Sequence, residues 1–268
     1  MPADLPTAAR FNGIARLYGQ AAYGRFARAK VCVIGLGGVG SWAAEALARS
    51  GVGSLTLIDL DDICLSNTNR QLHALDGNYG RPKVVAMAER LRRINPDLSV
   101  APVEAFVTAT TLALLDEPFD AILDAIDHVA AKCALLHHCR QRRYFVVSVG
   151  AAGGRIDPTA IQIKDLSRTA HDALLATVRR RLRREHGFPT NPKRSFGIPA
   201  VFSTEQPRYP QGDGSTGPRR PGGESALGLD CGGGLGASMC VTAAFGLAAA
   251  ARVMERLGRE EPQGTPGD

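Results

Sequence analysis

The run Val31-Cys32-Val33-Ile34-Gly35-Leu36-Gly37-Gly38-Val39-Gly40 constrains this chain more than any other, because an apolar β-branched segment enters a glycine turn and a helix leaves it. Gly35 permits a tight turn. Gly37 and Gly38 let backbone N–H groups approach a phosphate without a Cβ in the way, and Gly40 lets the helix pack closely on the strand. The spacing predicts that helix over residues 41–50, with Trp42, Ala43, Ala46 and Leu47 at near-helical intervals and Gly51 placed to stop it. A second strand over 55–58 then delivers Asp59, nineteen residues after Gly40, where a carboxylate takes ribose hydroxyls. Strand, turn, helix, strand and acid together point to nucleotide binding. The same glycines without a ligand would be an ordinary α/β turn, and the identity of the nucleotide is open at this level.

Alternation continues beyond Asp59. The pattern predicts a helix over 81–94 ended by Asn95-Pro96, a strand over 98–103, a short helix over 108–115 and a strand over 119–123 closing on Asp124. A helix over 129–142 and a strand over 144–149 ending at Gly150 complete the series. Such alternation implies a Rossmann-like, mostly parallel α/β sheet with helices on both faces. Ligand groups then belong at the C-terminal ends of the strands, where Gly35, Asp59, Asp124 and Gly150 all fall.

The second half changes character. Residues 155–163 alternate enough for a strand, and a helix over 170–186 sets Leu174, Val178 and Leu182 on one face and Arg179, Arg180, Arg181, Arg183 and Arg184 on the others. Between Glu205 and Gly234, 13 of 30 residues are Gly or Pro, which argues for a long loop rather than regular structure. The uncharged, alanine-rich segment 236–251 is too short and too weakly apolar to span a membrane, so a buried final helix is expected and no stable membrane insertion. Residues 10–29 read as a helical N-terminal arm of the kind that packs across a dimer.

The formal net charge of +6 makes an acidic partner such as RNA a reasonable hypothesis. No apolar leader core follows Met1, which suggests a cytoplasmic protein. The six cysteines, among them Cys231, form no C-x-x-C pair, so a structural zinc site is not expected.

Residues with chemistry cluster after Asp59. Arg70 and Lys83 can clamp a triphosphate, and Asp127, just past a strand end, can hold Mg²⁺ against it. Taken singly each has a plainer reading: Arg70 or Lys83 as a solvated surface charge, Asp127 as the N-cap of the next helix. A nicotinamide-dependent dehydrogenase would need none of the three.

Through Gly35 to Gly40, Ile58-Asp59-Leu60-Asp61, Ser66-Asn67-Thr68-Asn69-Arg70-Gln71, Lys83, Ile94-Asn95-Pro96 and Asp124-Ala125-Ile126-Asp127, residues 10–150 resemble the ubiquitin-activating-enzyme-like adenylyltransferases. The resemblance implies ATP and Mg²⁺ as cofactors and activation of a carboxylate as an acyl-adenylate. It implies an ATP site of Gly35, Gly37, Gly38, Gly40, Asp59, Asp61, Ser66, Asn67, Asn69, Arg70, Gln71, Lys83 and Asp127. In that family the position matching Asp59 binds ribose, those matching Asn67, Arg70 and Lys83 serve the phosphates, and that matching Asp127 takes Mg²⁺. A further arginine from the partner subunit's arm completes the family site. Gly13 stands at the aligned position, which moves the expectation to Arg16.

Absence of zinc cysteines and of room for a catalytic-cysteine domain separates the chain from the sulfur-carrier and ubiquitin branches. With Ala15-Arg16-Leu17-Tyr18-Gly19, Val201-Phe202-Ser203-Thr204-Glu205 and Asp230-Cys231 added, residues 10–255 look like the tRNA threonylcarbamoyladenosine dehydratases. That branch implies ATP-dependent cyclisation of the threonylcarbamoyl group on adenosine 37 of tRNA by a homodimer, with sulfur-relay proteins as further partners. The alternative is adenylation of the C-terminal carboxylate of a small ubiquitin-like or sulfur-carrier protein. On this reading 1–258 form one ATP-binding domain: an arm (1–29), a nucleotide-binding core (30–150) and a part serving tRNA and dimerisation (151–258). A disordered tail (259–268) follows. Arg179, Arg180, Arg183 and Arg184 are the expected tRNA contacts, and Cys231 a candidate thiol nucleophile.

Overall fold

The computed structural model describes residues 7–108, 110–219 and 235–259. Three short helices, α1 (Thr7–Arg10), α2 (Asn12–Tyr18) and α3 (Gln20–Phe26), form the N-terminal arm. There follow β1 (Lys30–Ile34), α4 (Gly40–Arg49), β2 (Ser54–Ile58), α5 (Lys83–Ile94), β3 (Ser99–Val103), β4 (Ala121–Asp124), α6 (Val129–Arg142) and β5 (Val146–Val149). The remainder holds β6 (Ile161–Asp165), α7 (Ala173–Glu185), β7 (Pro199–Ser203), the two-residue strands β8 (Tyr209–Pro210) and β9 (Thr216–Gly217), and α8 (Met239–Gly258).

Seven strands make one sheet in the order β3-β2-β1-β4-β5-β7-β6, parallel throughout except for β6, which runs antiparallel to β7. The strand order reverses between β1 and β4, the crevice where open α/β sheets bind ligands. In register, Ile34 lies beside Ile58 and Asp124, and Asp124 beside Ser148. The ends of β1, β2, β4 and β5 therefore share one edge.

Both faces of the sheet are covered, so β1 is apolar at consecutive positions rather than at alternate ones. Val31 and Val33 join Leu47, Leu55, Leu57, Met87, Leu91 and Phe245 in the core beneath α4, α5 and α8. Cys32 and Ile34 join Leu136, Val146, Leu175, Val178, Leu182 and Phe202 beneath α6 and α7. Gly246 is what lets α8 cross α4 closely, since a Cβ there would lie 2.4 Å from Val39 O and 3.0 Å from Ala43 N. The expected buried final helix is present, and among the described residues no helix is long and apolar enough to cross a membrane.

Several sequence expectations are corrected. The helix expected over 108–115 is only a 3₁₀ turn, Leu112–Leu115, because threonine side chains compete for the backbone: Thr108 N donates to Thr111 Oγ1 (2.8 Å) and Thr111 Oγ1 donates to Phe106 O (2.6 Å). The strand expected over 155–163 starts late, at Ile161. Asp157 caps a 3₁₀ turn at Pro158–Ala160, and the Glu205 carboxylate accepts from Ile156 N (3.0 Å) and Asp157 N (2.9 Å). β7 is a strand that periodicity does not disclose, since Gly197 and Pro199 at its entrance read as loop. The Gly/Pro-rich segment carries the small β8–β9 ribbon, turned at Gly214 (φ 82°), while residues 220–234 lie outside the described residues, as does the expected tail beyond 259.

Candidate active site

The glycine turn occupies the sheet edge at the crevice. Gly35 adopts φ 85°, and a Cβ on it would sit 2.8 Å from Ala125 O. Gly40 is tighter still, its hypothetical Cβ 1.7 Å from Gly35 O, so turn and helix can approach only as glycines. Around Gly37 the space is open. α4 starts at Gly40 without a side-chain cap, leaving the positive end of its dipole for an anion.

Asp59 ties the end of β2 to this turn. Its Oδ2 accepts from Leu36 N at 2.6 Å and its Oδ1 from Asp61 N at 2.9 Å. Burial holds the carboxyl above the ordinary aspartate value, with the Lys83 ammonium and the two N–H donors opposing that rise. One wall is the segment after β2. Asn67 is buried, and its Oδ1 accepts from Cys64 N (3.0 Å), closing the 3₁₀ turn Leu65–Asn67 that aims the following residues. Arg70 lies along Gly38, where a Cβ would meet its Cγ at 3.1 Å. Its Nη1 donates to Ser66 O (2.8 Å) and Asn69 Oδ1 (3.0 Å), and its carbonyl accepts from Trp42 Nε1 (3.0 Å) on α4. Gln71 is buried, its Oε1 without a hydrogen-bond partner.

Lys83 opens α5 and is buried, its Nζ 2.7 Å from Asp61 Oδ2. Asp127 follows the end of β4 and is exposed, with no hydrogen bond or ion pair among the described residues. The helix-cap alternative for Asp127 does not apply, because His128 is the N-cap of α6, its Nδ1 accepting from Ala131 N at 3.3 Å. The loop carrying Asp127 is anchored by Asp124, which is fully buried: Oδ2 accepts from Lys132 Nζ (2.7 Å) and Ser148 Oγ (2.7 Å), and Oδ1 from Ile126 N (3.1 Å). Gly35, Gly37, Gly38, Gly40, Asp59, Asp61, Ser66, Asn67, Asn69, Arg70, Gln71, Lys83 and Asp127 thus come from four segments meeting at one sheet edge.

Two contributors go unnoticed in the sequence analysis. The start of α8 packs on the glycine turn: Asn69 Nδ2 donates to Ala237 O (2.8 Å), Met239 N to Asn69 O (3.2 Å), and the buried Thr242 hydroxyl, which has no hydrogen-bond partner, faces Gly38. The second is Lys132, a lysine on the apolar face of α6. A charged residue inside an apolar helical face is the one sequence signal that marks it.

Other expected residues stand apart. Arg16 is exposed on α2 and makes no hydrogen bond or ion pair among the described residues. On α7, Arg179 hydrogen-bonds Thr169 Oγ1, Arg183 Nε donates to Pro189 O (3.2 Å) with its guanidinium over the Phe196 ring, and Arg184 pairs with Glu185. Arg180 alone of the four points to solvent without a partner. Cys231 lies outside the described residues. Among the described thiols, burial pushes Cys32 and Cys139 far up and Cys133 up to about 11, so none of these three is a nucleophile near neutral pH.

An uncapped helix N-terminus, a ribose-height carboxylate, two cations and a free carboxylate suit a nucleoside triphosphate attacked at its α-phosphorus. The ThiF family pattern matches residues 11–265. The tRNA threonylcarbamoyladenosine dehydratase of Escherichia coli K12 is 47% identical over 249 residues, covering 92% of this chain and 93% of that protein. The enzyme of the same name from Haemophilus influenzae is 45% identical over 249 residues, covering 92% and 93%. The crystal structure of the E. coli dehydratase in complex with ATP superposes with a TM-score of 0.83 at 44% identity, covering 93% of this chain and 94% of that one.

Proposed function

The chain belongs to the ThiF family, and from that premise we propose that it catalyses the ATP-dependent dehydration of threonylcarbamoyladenosine at position 37 of tRNA. The observation that carries this reading is the reach of the similarity, which extends past the nucleotide-binding half through nearly the whole of the E. coli dehydratase.

The chemistry follows from a weak electrophile. A free threonyl carboxylate resists attack, so one of its oxygens first displaces pyrophosphate from the α-phosphorus of ATP. Asp59 accepts the ribose hydroxyls, the N–H groups of the 35–40 turn and α4 receive the phosphates, and Arg70 and Lys83 balance the charge that develops on the departing pyrophosphate. The ion pair of Lys83 Nζ with Asp61 Oδ2 (2.7 Å), which fixes the ammonium at the start of α5, supports this role. Asp127 would hold Mg²⁺: a free carboxylate beside nucleotide oxygens is the donor set this ion takes, and the ion supplies charge neutralisation at the phosphates. The carbamoyl group of the same side chain then attacks the acyl-adenylate carbonyl, closing a ring with a large proximity advantage. AMP leaves with the carboxylate oxygen, and the nucleoside is lighter by one water. No enzyme nucleophile is required, so Cys231 is an accessory at most.

The same reading includes a cytoplasmic homodimer, with Arg16 of the arm serving the neighbouring subunit's phosphates. Exposed Leu17 and Tyr18 on the arm, and separately exposed Leu60, Leu65 and Leu75 near the site, are apolar surface that supports burial by a second copy. Arg180 and Arg184 on α7 remain the part of that helix available to RNA, and sulfur-relay proteins remain proposed partners. Arg70→Ala and Asp127→Ala test the assignment. Each should abolish AMP formation in the presence of substrate tRNA while leaving thermal unfolding unchanged, and AMP formation at the original rate by either variant refutes its role.

A further inference from the structure

A cavity of about 620 Å³ opens at the opposite edge of the sheet from the ATP site, among the N-terminal ends of β1, β4, β5 and β7 and the last turn of α8. Its size falls within the roughly 300–1,000 Å³ usual for ligand pockets. Five arginines line it, Arg25, Arg28, Arg143, Arg256 and Arg259, against one acidic residue, Asp120. That carboxylate is engaged, its Oδ2 accepting from Lys30 N at 2.7 Å.

Part of this charge has a structural use. Arg25 donates to Leu257 O (3.3 Å) and Gly258 O (2.5 Å), closing the C-terminus of α8, and Arg259 pairs with Glu255. Arg256 lies over the Phe145 ring, 5.8 Å from its centroid, which leaves its N–H edge free. Arg28 and Arg143 are exposed, and their side chains make no hydrogen bond or ion pair among the described residues. Arg143 also carries φ 58° at the C-cap of α6, one of two non-glycine residues with positive φ among the described residues. Glycine is the usual residue at such a helix end, so the arginine there brings charge to the cavity at the expense of backbone ease.

We infer that this cavity is a second anion site, built to take phosphate groups through Arg28, Arg143 and Arg256. Guanidiniums bind phosphate bidentately, and three free ones around a pocket of this size suit a phosphodiester run or a polyphosphate rather than a single carboxylate. The phosphate has two sources compatible with this chemistry: the RNA backbone of the substrate, which rests on the proposed dehydratase function, or free pyrophosphate. A five-residue strand is only about 17 Å long, so the cavity is within the span of one RNA stem from the ATP edge.

The test fills the ATP site with a non-hydrolysable ATP analogue and compares the original protein with Arg28→Ala/Arg143→Gly. The glycine removes the strained φ, so thermal unfolding of this variant should not move down. Binding of tRNA is measured across a potassium chloride series, and binding of inorganic pyrophosphate by calorimetry. If RNA is the source, the slope of log K against log salt flattens by about 1.5, two phosphate contacts' worth. If the source is free phosphate, a pyrophosphate site disappears while the tRNA slope holds. Either result supports the site, and unchanged tRNA and pyrophosphate binding in a folded variant overturns it. Failure of the original protein to bind or turn over tRNA at all would instead count against the dehydratase function, with the pyrophosphate arm still readable.

Discussion

Replacing Lys132 by methionine removes a fully buried ammonium that sits 2.7 Å from an equally buried carboxylate, Asp124. Breaking a buried ion pair by deleting one partner costs about 3–5 kcal/mol, because the remaining charge is left uncompensated. Asp124 is not stripped bare: Ser148 Oγ and Ile126 N still donate to it. The lower end, about 3 kcal/mol, is therefore expected, a large share of a typical total stability of about 5–15 kcal/mol. Asp124→Asn leaves the ammonium without its counter-charge and should cost a similar amount. In the double variant neither charge remains, so its loss should fall short of the sum by about 2 kcal/mol or more, a coupling expected of groups in direct contact. The assay is urea unfolding of the four proteins, reading midpoints at unchanged slope. The ATP site gives a second readout: because Asp124 Oδ1 anchors Ile126 N, loosening the loop should raise KM for ATP in Lys132→Met. Additive losses, or single losses below about 1 kcal/mol, would refute the argument that this pair holds the Asp127 loop.

Two further outcomes follow from the same edge. Gly40→Ala places a Cβ 1.7 Å from Gly35 O, a clash no side-chain rotation relieves, so ATP binding should be lost and calorimetric titration should show it. Asp59 is held above the ordinary aspartate value, chiefly by burial, so it takes up its proton at higher pH than a solvated carboxylate does. ATP affinity should accordingly decline on acidification, starting at a higher pH than a solvated aspartate would give, and Asp59→Asn should abolish that decline. For stability the sign is opposite: the raised value favours the protonated fold at low pH and opposes folding once pH exceeds it. A pH profile of affinity identical in Asp59→Asn and the original protein would disprove the role.

Legibility in the sequence tracks how local each signal is. The turn from Ile34 to Gly40, the arrival of Asp59 and the span of α6 are set by residues next to one another in the chain, and the fold reproduces them. β7 escapes because Gly197 and Pro199 dominate a five-residue strand whose partners, β5 and β6, are settled only in the sheet. The threonines at 108 and 111 redirect backbone bonds in a way apolar spacing does not record. Contact between Asn69 and Ala237 joins residues 168 apart, and no local pattern announces it. The arginines of α7 are a single basic run as a string of letters, whereas folding ties Arg179 and Arg183 to protein acceptors and pairs the exposed Arg184 with Glu185. The guanidiniums of the far cavity are scattered over three stretches of sequence, so only the fold assembles them.

The central claim is that a carboxylate on tRNA is activated and lost as water. Its most direct measurement is the mass of the modified nucleoside in digests of tRNA carrying threonylcarbamoyladenosine, after incubation with this protein and ATP, with AMP counted in parallel and unmodified tRNA as control. The account predicts a nucleoside lighter by one water and AMP formed only with the modified tRNA. An unaltered nucleoside beside intact ATP binding would contradict it, and would assign the adenylated carboxylate to another molecule, such as the C-terminus of a small carrier protein.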